Sequence, residues 1–294
     1  MKTFIFGEAM LEYHGHGGEG LRYGGDTLNT AIHMARRGCD VAFVTAVGVD
    51  PISDALVAAW RAEGLDTSHV HRHPHRSPGI YAIHLDDKGE RSFLYWRDRS
   101  AAREMFDMPG MARSLACARD CELIYFSLIT LAIIGDHGRR QLIDLARERK
   151  AAGRRVAYDS NFRAALWDDL ALAREVSTSA MRAATIGLPT DTDECELHAA
   201  ARSAEEIADC WHRAWCPETI VKAGERGCVL KADAQPCSHY LASRVEVVDS
   251  SGAGDAFNAG FLASRINGAS AAEAIAAGQE LAARTIGHFG AIEL

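Results

Sequence analysis

Short apolar runs alternate with helical patterns along most of the chain, and this alternation constrains the fold more than any other feature. Strands that are separated by helices form a parallel sheet with helices on both faces. Binding sites in such sheets gather at the carboxyl ends of the strands. The predicted strands are residues 3–11, 41–47, 123–127, 155–160, 185–189, 219–224 and 245–250.

Several helices have clear sequence boundaries. Asp50 followed by Pro51 predicts a cap and a first helical turn, and Gly64 marks the end of that helix. A second helix is predicted to begin near Asp26 and to end at Gly38. The alanine-rich residues 267–285 predict a helix that packs against other helices, since they lack coiled-coil heptads.

Residues 79–100 break the alternation of strands and helices. Two alternating runs joined by "DDKGE" predict an antiparallel hairpin, which could form a small separate sheet with residues 11–25. A small sheet beside a large α/β core suggests a lid that excludes water when it closes. The predicted domains are an α/β core of residues 1–10, 26–78 and 101–294, and a β lid of residues 11–25 and 79–100.

The charge and composition exclude several classes of protein. A net charge of −8 over 294 residues disfavours general binding to nucleic acid or to anionic membranes. No apolar run approaches the length of about 20 residues that spans a bilayer, and the first ten residues resemble a strand rather than a signal peptide. Eight scattered cysteines without a CxxC pair favour reduced thiols and a cytoplasmic location.

A predicted strand turns into a predicted helix at "VVDSSGAGDAFNAGFLA", residues 247–263, with Gly252, Ala253 and Gly254 at the junction. A helix N-terminus presents unpaired N–H groups that bind anions, and glycine lets a ligand approach the backbone closely. Asp255 would then lie beside the group that is bonded to the anion. This pattern suits phosphoryl transfer, with backbone donors stabilising charge and a carboxylate accepting a proton. The alternative is a glycine-rich turn with an ordinary first-turn carboxylate.

Other candidate sites carry less weight. The chain has no Gly-Lys pair, so a Walker A loop is excluded. Residues 15–20, "GHGGEG", match G-x-G-x-x-G but open no helix, so a turn is favoured over the dinucleotide site of a dehydrogenase. The four histidines of residues 69–75 are interpreted as an exposed loop rather than a metal site. Cys117 and Cys121 are predicted to be buried small hydrophobes.

Two segments resemble a known family. "DSSGAGDAFNAGFLA" resembles the C-terminal signature of the ribokinase-like (PfkB) sugar kinases, and "YGGDTLNTAIHMARRG", residues 23–38, resembles their N-terminal signature. The resemblance implies an α/β, ribokinase-like three-layer fold with a mainly parallel central sheet and a small β-sheet lid. It also implies that residues 252–254 form an anion hole for ATP phosphates and that Asp255 is the catalytic base.

Within that family the chain looks most like the 2-keto-3-deoxygluconate kinases, in "GGDTLNTA", in residues 79–102 and in "DSNFRAALW". The likeness implies phosphorylation of the 6-hydroxyl of a sugar acid. Arginine forks bind carboxylates well, which fits such a substrate independently. The implied substrate-binding residues are Gly25, Asp26, Asn29, Tyr81, Tyr95, Arg97, Arg163 and Asp255.

Alternatives remain open for individual residues and for the function. Tyr95 could only pack the lid, Arg97 and Arg163 could be surface charges, and Asp26 could cap its helix. A kinase for a neutral ketose such as fructose would need no carboxylate clamp. A non-catalytic sugar-acid-binding paralogue would have no need of Asp255.

The resemblance also assigns a nucleotide site. Two departures from the family pattern concern it: Thr190 and Asp193 replace an Asn-x-x-Glu pattern used near magnesium, and Ala223 replaces a frequent arginine. Mg²⁺ is expected to bridge phosphate oxygens and to keep mostly water ligands, and its protein ligands are unknown. The expected partners are ATP and a sugar acid, with homo-oligomerisation left open. The implied nucleotide-binding residues are Asn161, Thr190, Lys222, Gly224, Gly227, Gly252 and Gly254.

Overall fold

The computed structural model describes residues 2–14, 22–85, 91–232 and 235–293. The G-x-G-x-x-G match at residues 15–20 and the hairpin turn at residues 86–90 lie outside the described residues. In chain order the strands are β1 (Lys2–Phe6), β2 (Met10–His14), β3 (Arg22–Gly24), β4 (Asp40–Val47), β5 (Val70–Arg72), β6 (Gly79–Leu85), β7 (Arg91–Trp96), β8 (Leu123–Ser127), β9 (Arg155–Asp159), β10 (Ile186–Gly187), β11 (Glu218–Lys222), β12 (Cys228–Ala232) and β13 (Ser238–Tyr240).

The strands form one large and one small sheet. The large sheet has nine strands in the order β13-β12-β11-β10-β9-β8-β1-β4-β5, and all its pairs are parallel except those of β12 with β11 and β13. The small sheet has the order β3-β2-β6-β7. The α-helices are α1 (Asp26–Arg36), α2 (Pro51–Ala62), α3 (Met111–Asp120), α4 (Leu128–Ile133), α5 (Gly135–Ala151), α6 (Leu170–Ala183), α7 (Asp191–His198), α8 (Ala204–Arg213), α9 (Ala253–Ile266) and α10 (Ala271–Thr285).

Two hydrophobic cores lie on opposite faces of the large sheet. Along β1, Phe4 and Phe6 join one core while Ile5 joins the other, as the two-residue period of a strand requires. The first core contains buried residues of α4, α5, α6 and α8. The second contains buried residues of α1, α2, α9 and α10. The predicted mainly parallel sheet covered on both faces is therefore confirmed.

Several predicted boundaries are also confirmed. The Asp50 side chain accepts the Ser53 N–H at 2.9 Å, with Pro51 in the first turn of α2. The predicted hairpin is present as the antiparallel pair β6–β7. The small sheet draws its strands from the segments predicted to form a lid, with the addition of Met10. Closure of this sheet over a ligand stays a prediction.

Two strand predictions need correction. Residues 3–11 form two strands in different sheets, separated by residues 7–9, and a Cβ on Gly7 would lie 1.9 Å from Thr27 Oγ1. Residues 245–250 form no strand. The N–H groups of Val248 and Asp249 donate to the Ile286 carbonyl, at 2.8 and 3.2 Å, instead of to a neighbouring strand.

The prediction for the cysteine pair was half wrong. Cys121 is buried, but Cys117 lies on the exposed face of α3. All eight cysteines are free thiols. Across the described residues, no helix is both long and apolar enough to cross a membrane.

Candidate active site

A cleft of about 1400 Å³ opens between the small sheet and the carboxyl ends of the large sheet's strands. All residues that the sequence analysis placed in a site line this cleft, although their roles stay predictions. They are Gly25, Asp26, Asn29, Tyr81, Tyr95, Arg97, Asn161, Arg163, Thr190, Lys222, Gly224, Gly227, Gly252, Ala253, Gly254 and Asp255.

The cleft has two sides that meet at the N-terminus of α9. We call the part lined by α1 and the small sheet the sugar side. We call the part lined by the turn from β11 to β12, the segment 242–247 and the segment 282–291 the nucleotide side. Residues 252–254, where the two sides meet, are called the anion-binding turn.

The anion-binding turn is held by the backbone of Gly252 and by the segment that follows α10. Gly252 has a left-handed φ of 71°, and a Cβ there would lie 2.3 Å from the Ala291 Cβ. Asp249 accepts the N–H groups of Ser251 at 2.9 Å and of Gly290 at 2.8 Å. These contacts direct the first turn of α9, with its unpaired N–H groups, into the cleft.

Asp255 lies in the first turn of α9 and is held from the sugar side. Asn29 Nδ2 donates to Asp255 Oδ2 at 2.8 Å, and Thr30 Oγ1 donates to the Asp255 carbonyl at 3.2 Å. Burial raises the pKa of Asp255 well above its usual value, and the neighbouring Asp26 raises it further. The carboxyl is therefore a stronger base than an exposed aspartate once it is ionised.

Four buried side chains below the anion-binding turn form what we call the Lys222 network. Lys222 Nζ donates to Asp159 Oδ2 at 3.0 Å and to Asn258 Oδ1 at 3.1 Å. Asn258 Nδ2 donates to Asp159 Oδ2 at 2.6 Å and to the Tyr125 hydroxyl at 3.1 Å. Sequence reasoning missed Asp159 and Asn258, although both lie inside the quoted family segments.

Arg97 is buried on the sugar side, so the surface-charge interpretation is wrong for this residue. Its side chain is 8% exposed and forms an ion pair with the buried Glu8, which also accepts the Ser100 hydroxyl. The guanidinium carbon lies 5.9 Å from the Tyr95 ring. Sequence reasoning missed Glu8, and the signal for it is a carboxylate that interrupts an apolar run, two residues after the end of β1.

Asp26 does not cap α1 with its side chain. Gly25 occupies the N-cap position without a side-chain hydrogen bond, and Asp26 is the first helical residue. Burial raises the pKa of the Asp26 carboxyl. The Asp26 side chain is therefore not the N-cap of α1, and its Oδ2 has no hydrogen-bond partner among the described residues.

Several cleft residues bury a polar atom that has no hydrogen-bond partner within the part of the chain that the structure describes. Buried polar atoms are nearly always paired in folded proteins, so unpaired atoms on residues that line a cleft are candidates for contact with a polar ligand. A sugar acid supplies hydroxyl and carboxylate groups that fit these donors and acceptors. The atoms are Asp26 Oδ2, Asn29 Oδ1, Arg97 Nε and Asn161 Oδ1.

Tyr81 and Tyr95 lie side by side on the small sheet. Their ring centroids are 6.0 Å apart, and the Tyr81 hydroxyl donates to Glu12. Burial raises the pKa of Tyr81, so its hydroxyl stays protonated at neutral pH. Tyr95 is 51% exposed and lies beside Arg97 in the lining of the cleft, and its contact with the substrate stays a prediction.

Arg163 is half exposed at the rim of the cleft. Its guanidinium lies 3.5 Å from Asp193 and donates to the Phe162 carbonyl at 2.6 Å. Burial raises the pKa of Asp193 and raises that of the adjacent Glu194 to about 7. Among the described residues no group of three or more histidine, cysteine or acidic side chains could hold a metal ion.

The nucleotide side is more open and more apolar. Val245 and Val247 line it and are 42% and 58% exposed, and Ile286 faces the same part of the cleft. Gly290 and Ala291 complete the wall beside the anion-binding turn. The segment after α10 therefore supplies part of the wall of the nucleotide side.

Comparisons with known proteins match this architecture along the whole chain. The profile of the "pfkB family carbohydrate kinase" matches residues 16–294. A 2-dehydro-3-deoxygluconokinase of Haemophilus influenzae is 34% identical over 99% of this chain and 96% of its own length. A fructokinase of Salmonella typhimurium is 29% identical over 82% of this chain and 76% of its own. The crystal structure of a PfkB protein from Polaromonas sp. JS666 superposes with a TM-score of 0.85 at 26% identity, covering 97% of this chain and 95% of that one.

Proposed function

The chain belongs to the pfkB family of carbohydrate kinases, and on that premise we propose that it phosphorylates 2-keto-3-deoxygluconate, also called 2-dehydro-3-deoxygluconate. ATP donates its γ-phosphoryl group to the 6-hydroxyl, giving 2-keto-3-deoxy-6-phosphogluconate and ADP. The observation that carries the proposal is a single cleft that contains a buried arginine with an unpaired Nε donor and a carboxylate at a helix N-terminus.

Phosphoryl transfer requires a base, charge stabilisation and alignment of the reacting atoms. The sugar hydroxyl oxygen bonds to the γ-phosphorus, the bond to the bridging β,γ-oxygen breaks, and the hydroxyl proton passes to Asp255. The N–H groups of the anion-binding turn and the Lys222 ammonium stabilise the charge on the transferred group. Asn29 fixes the orientation of the Asp255 carboxylate through its 2.8 Å hydrogen bond.

The sugar side binds the acid. Arg97 offers its Nε to the substrate carboxylate while Glu8 holds the guanidinium from behind. Asp26 and Asn29 offer buried oxygens to sugar hydroxyls, and Arg163 adds a second positive charge at the rim. A buried cation in this position favours an acidic sugar over a neutral one.

Mg²⁺ is proposed to bind through the nucleotide phosphates rather than in a protein cage. The described residues gather no cluster of three metal-ligating side chains, and both oxygens of Asp159 already accept hydrogen bonds. Mg²⁺ keeps several water ligands and neutralises phosphate charge in such sites.

Two alternatives have specific support. The similarity to a fructokinase favours a neutral ketose, and a lid-covered cleft would also suit a non-catalytic sugar-acid-binding protein. Two buried features argue against them. Arg97 supplies a carboxylate partner that fructose does not need, and Asp255 supplies a base that a binding protein does not need.

A substrate panel tests the proposal. We expect the purified protein to phosphorylate 2-keto-3-deoxygluconate with kcat/KM at least about tenfold above that for fructose, since a charge-assisted contact is worth roughly that factor or more. NMR of the product should place the phosphate on the 6-hydroxyl. Equal or reversed preference would exclude the sugar-acid assignment. Calorimetric binding of the acid without release of ADP would instead support the binding protein.

The cellular setting follows from the same residues. We propose a cytoplasmic location, because all eight cysteines are free thiols. The net charge of −8 argues against nucleic acid as a partner, and homo-oligomerisation stays open.

A further inference from the structure

The Lys222 network lies directly below the anion-binding turn and contains a residue that the proposed reaction does not yet use. Asn258 is fully buried on α9, three residues after Asp255. Residues three apart lie on the same side of a helix, so Asp255 and Asn258 face the same region. One helix thus carries the backbone donors, the proposed base and the amide that contacts Lys222.

The position of Lys222 is fixed from two directions. Its backbone N–H donates to the Pro189 carbonyl at 2.8 Å, which anchors the end of β11. Its ammonium donates to Asp159 and Asn258 and lies 3.6 Å from where a Cβ on Gly254 would be. An ammonium has three donors, and the described residues accept two of them. The third is available to an anion bound at the turn.

Asn258 is an unusual choice for a fully buried helical position. A buried amide is costly unless its polar atoms are paired, and here the oxygen and the nitrogen both are. Its oxygen accepts from Lys222 without adding a negative charge beside Asp159, Asp26 and Asp255. An aspartate in its place would put a second carboxylate at the 2.6 Å contact with Asp159. A leucine has a similar volume but no hydrogen-bonding atoms, so it would release the lysine from α9.

We propose that Asn258 is a positioning residue for phosphoryl transfer, which with Asp159 holds the Lys222 ammonium so that its remaining donor faces the transferred phosphoryl group. This inference rests on the proposed kinase function but does not depend on which sugar is the acceptor.

The test is a double-mutant cycle between Asn258→Leu and Lys222→Met. We expect Asn258→Leu to lower kcat about tenfold and Lys222→Met about ten- to a hundredfold, the range for contacts to charged groups. If Asn258 acts through Lys222, the double variant should be no slower than Lys222→Met alone. The KM for the sugar acid should stay within about twofold in all three, because the sugar side is untouched.

Calorimetric titration with the acceptor sugar counts the folded sites, so kcat is expressed per binding-competent site. Phe261→Leu is the matched control, since Phe261 is fully buried on the same helix but does not line the cleft. It should lower the Tm and leave kcat per site within about twofold, which shows what loosening α9 alone does.

Two results would overturn the inference. One is an unchanged kcat per site in Asn258→Leu. The other is a loss of kcat in the double variant that equals the product of the losses in the two single variants. If Asn258→Leu does not fold, Asn258→Ala takes its place in the cycle, with the same expected loss and the same criteria, because alanine also removes the oxygen that accepts from Lys222. The assay uses whichever acceptor the wild-type protein phosphorylates fastest. A wild type that prefers another sugar therefore contradicts the proposed substrate while the cycle still tests Asn258.

Discussion

On the sugar side of the cleft the polar atoms are buried, whereas the nucleotide side is formed in part by an exposed extended segment. Arg97 is 7% exposed and is backed by Glu8, while Val247 is 58% exposed and belongs to no strand. An unpaired buried polar atom costs about 1–3 kcal/mol until a ligand satisfies it, so the sugar side penalises any ligand that lacks the matching group. Apolar contacts on an open surface discriminate far less.

The difference indicates where specificity lies. The sugar side is organised before the ligand arrives, through ion pairs and hydrogen bonds among its own residues. The nucleotide side presents the backbone of the anion-binding turn, apolar side chains such as Val247 and the exposed side chain of Arg244. Substitutions on the sugar side should therefore cause large and selective losses, and those on the nucleotide side small ones.

The most severe test falls where the two sides meet. Asp255→Asn preserves size and helix capping, so both ligands should still bind, but the proton acceptor is lost. We expect kcat to fall by roughly 10²–10⁴-fold with modest changes in either KM, the range for general-base catalysis. Steady-state kinetics measure this, with circular dichroism to show that the variant is folded. A kcat near that of the wild type would refute the role of Asp255.

A second test concerns a buried carboxyl that belongs to neither side of the cleft, that of Glu194, which follows the cleft residue Asp193 on α7. Burial raises the pKa of Glu194 to about 7, with the Trp211 indole N–H donating to it at 3.1 Å. Because the folded-state pKa lies above the unfolded value, Glu194 lowers the free energy of unfolding as pH rises from about 4.5 to about 7. The loss is of order 3 kcal/mol, and Glu194→Gln should abolish it.

Urea unfolding at pH 5 and pH 8 measures this difference. The exposed Glu196, on the same helix, provides the control Glu196→Gln, which should keep the wild-type pH dependence. If the free energy of unfolding of Glu194→Gln keeps the pH dependence of the wild type, burial of the Glu194 carboxyl does not cause that dependence.

The third test addresses the selectivity of the sugar side. Arg97→Ala removes a charge-assisted contact worth roughly 1.5–3 kcal/mol, so the KM for the sugar acid should rise about ten- to a hundredfold. The KM for ATP should change little, because Arg97 lies on the other side. Arg99→Ala is the control, since Arg99 is exposed and outside the cleft. Equal effects on both KM values would erase the distinction between the two sides.

The smallest effect is expected on the nucleotide side. Val247→Ala removes two carbons from the cleft wall, each worth about 0.8 kcal/mol when fully buried. Because a ligand would cover only part of this exposed side chain, the KM for ATP should rise about two- to fivefold. The neighbouring Val248 is similarly exposed but does not line the cleft, so Val248→Ala should leave that KM unchanged. A loss of a hundredfold or more at Val247 would mean that this side is as selective as the other.

The sequence was a good guide to the sheet and to the cleft residues, because both leave local patterns. It failed at residues 245–250, where alternating valines read as a strand but line a cleft wall instead. Hydrophobic periodicity indicates which side chains face an apolar environment. An apolar wall of a ligand site produces the same alternation of apolar and polar residues as a strand packed in a sheet.

The partners behind the site could not be predicted from the sequence. Glu8 and Arg97 are 89 residues apart in the chain, and Asn258 and Asp159 are 99 apart. Only the folded sheet brings them together, and nothing local distinguishes a buried asparagine in a helix from an exposed one. Which buried residue pairs with Arg97 or with Asn258 is therefore decided by tertiary structure and not by local sequence.

The arrangement of Asp255 and Asn258 on α9 limits how the protein can change during evolution. A single residue inserted between them would rotate Asn258 by about 100° around the helix. Asp255 and Asn258 would then no longer lie on the same side of α9, so Asn258 could not contact Lys222 while Asp255 faces the cleft. An insertion in the extended segment 241–248 would only lengthen a loop, at a cost of a fraction of a kcal/mol. In sequences that evolve from this one, insertions and deletions should therefore accumulate before the anion-binding turn and be absent from the first two turns of α9.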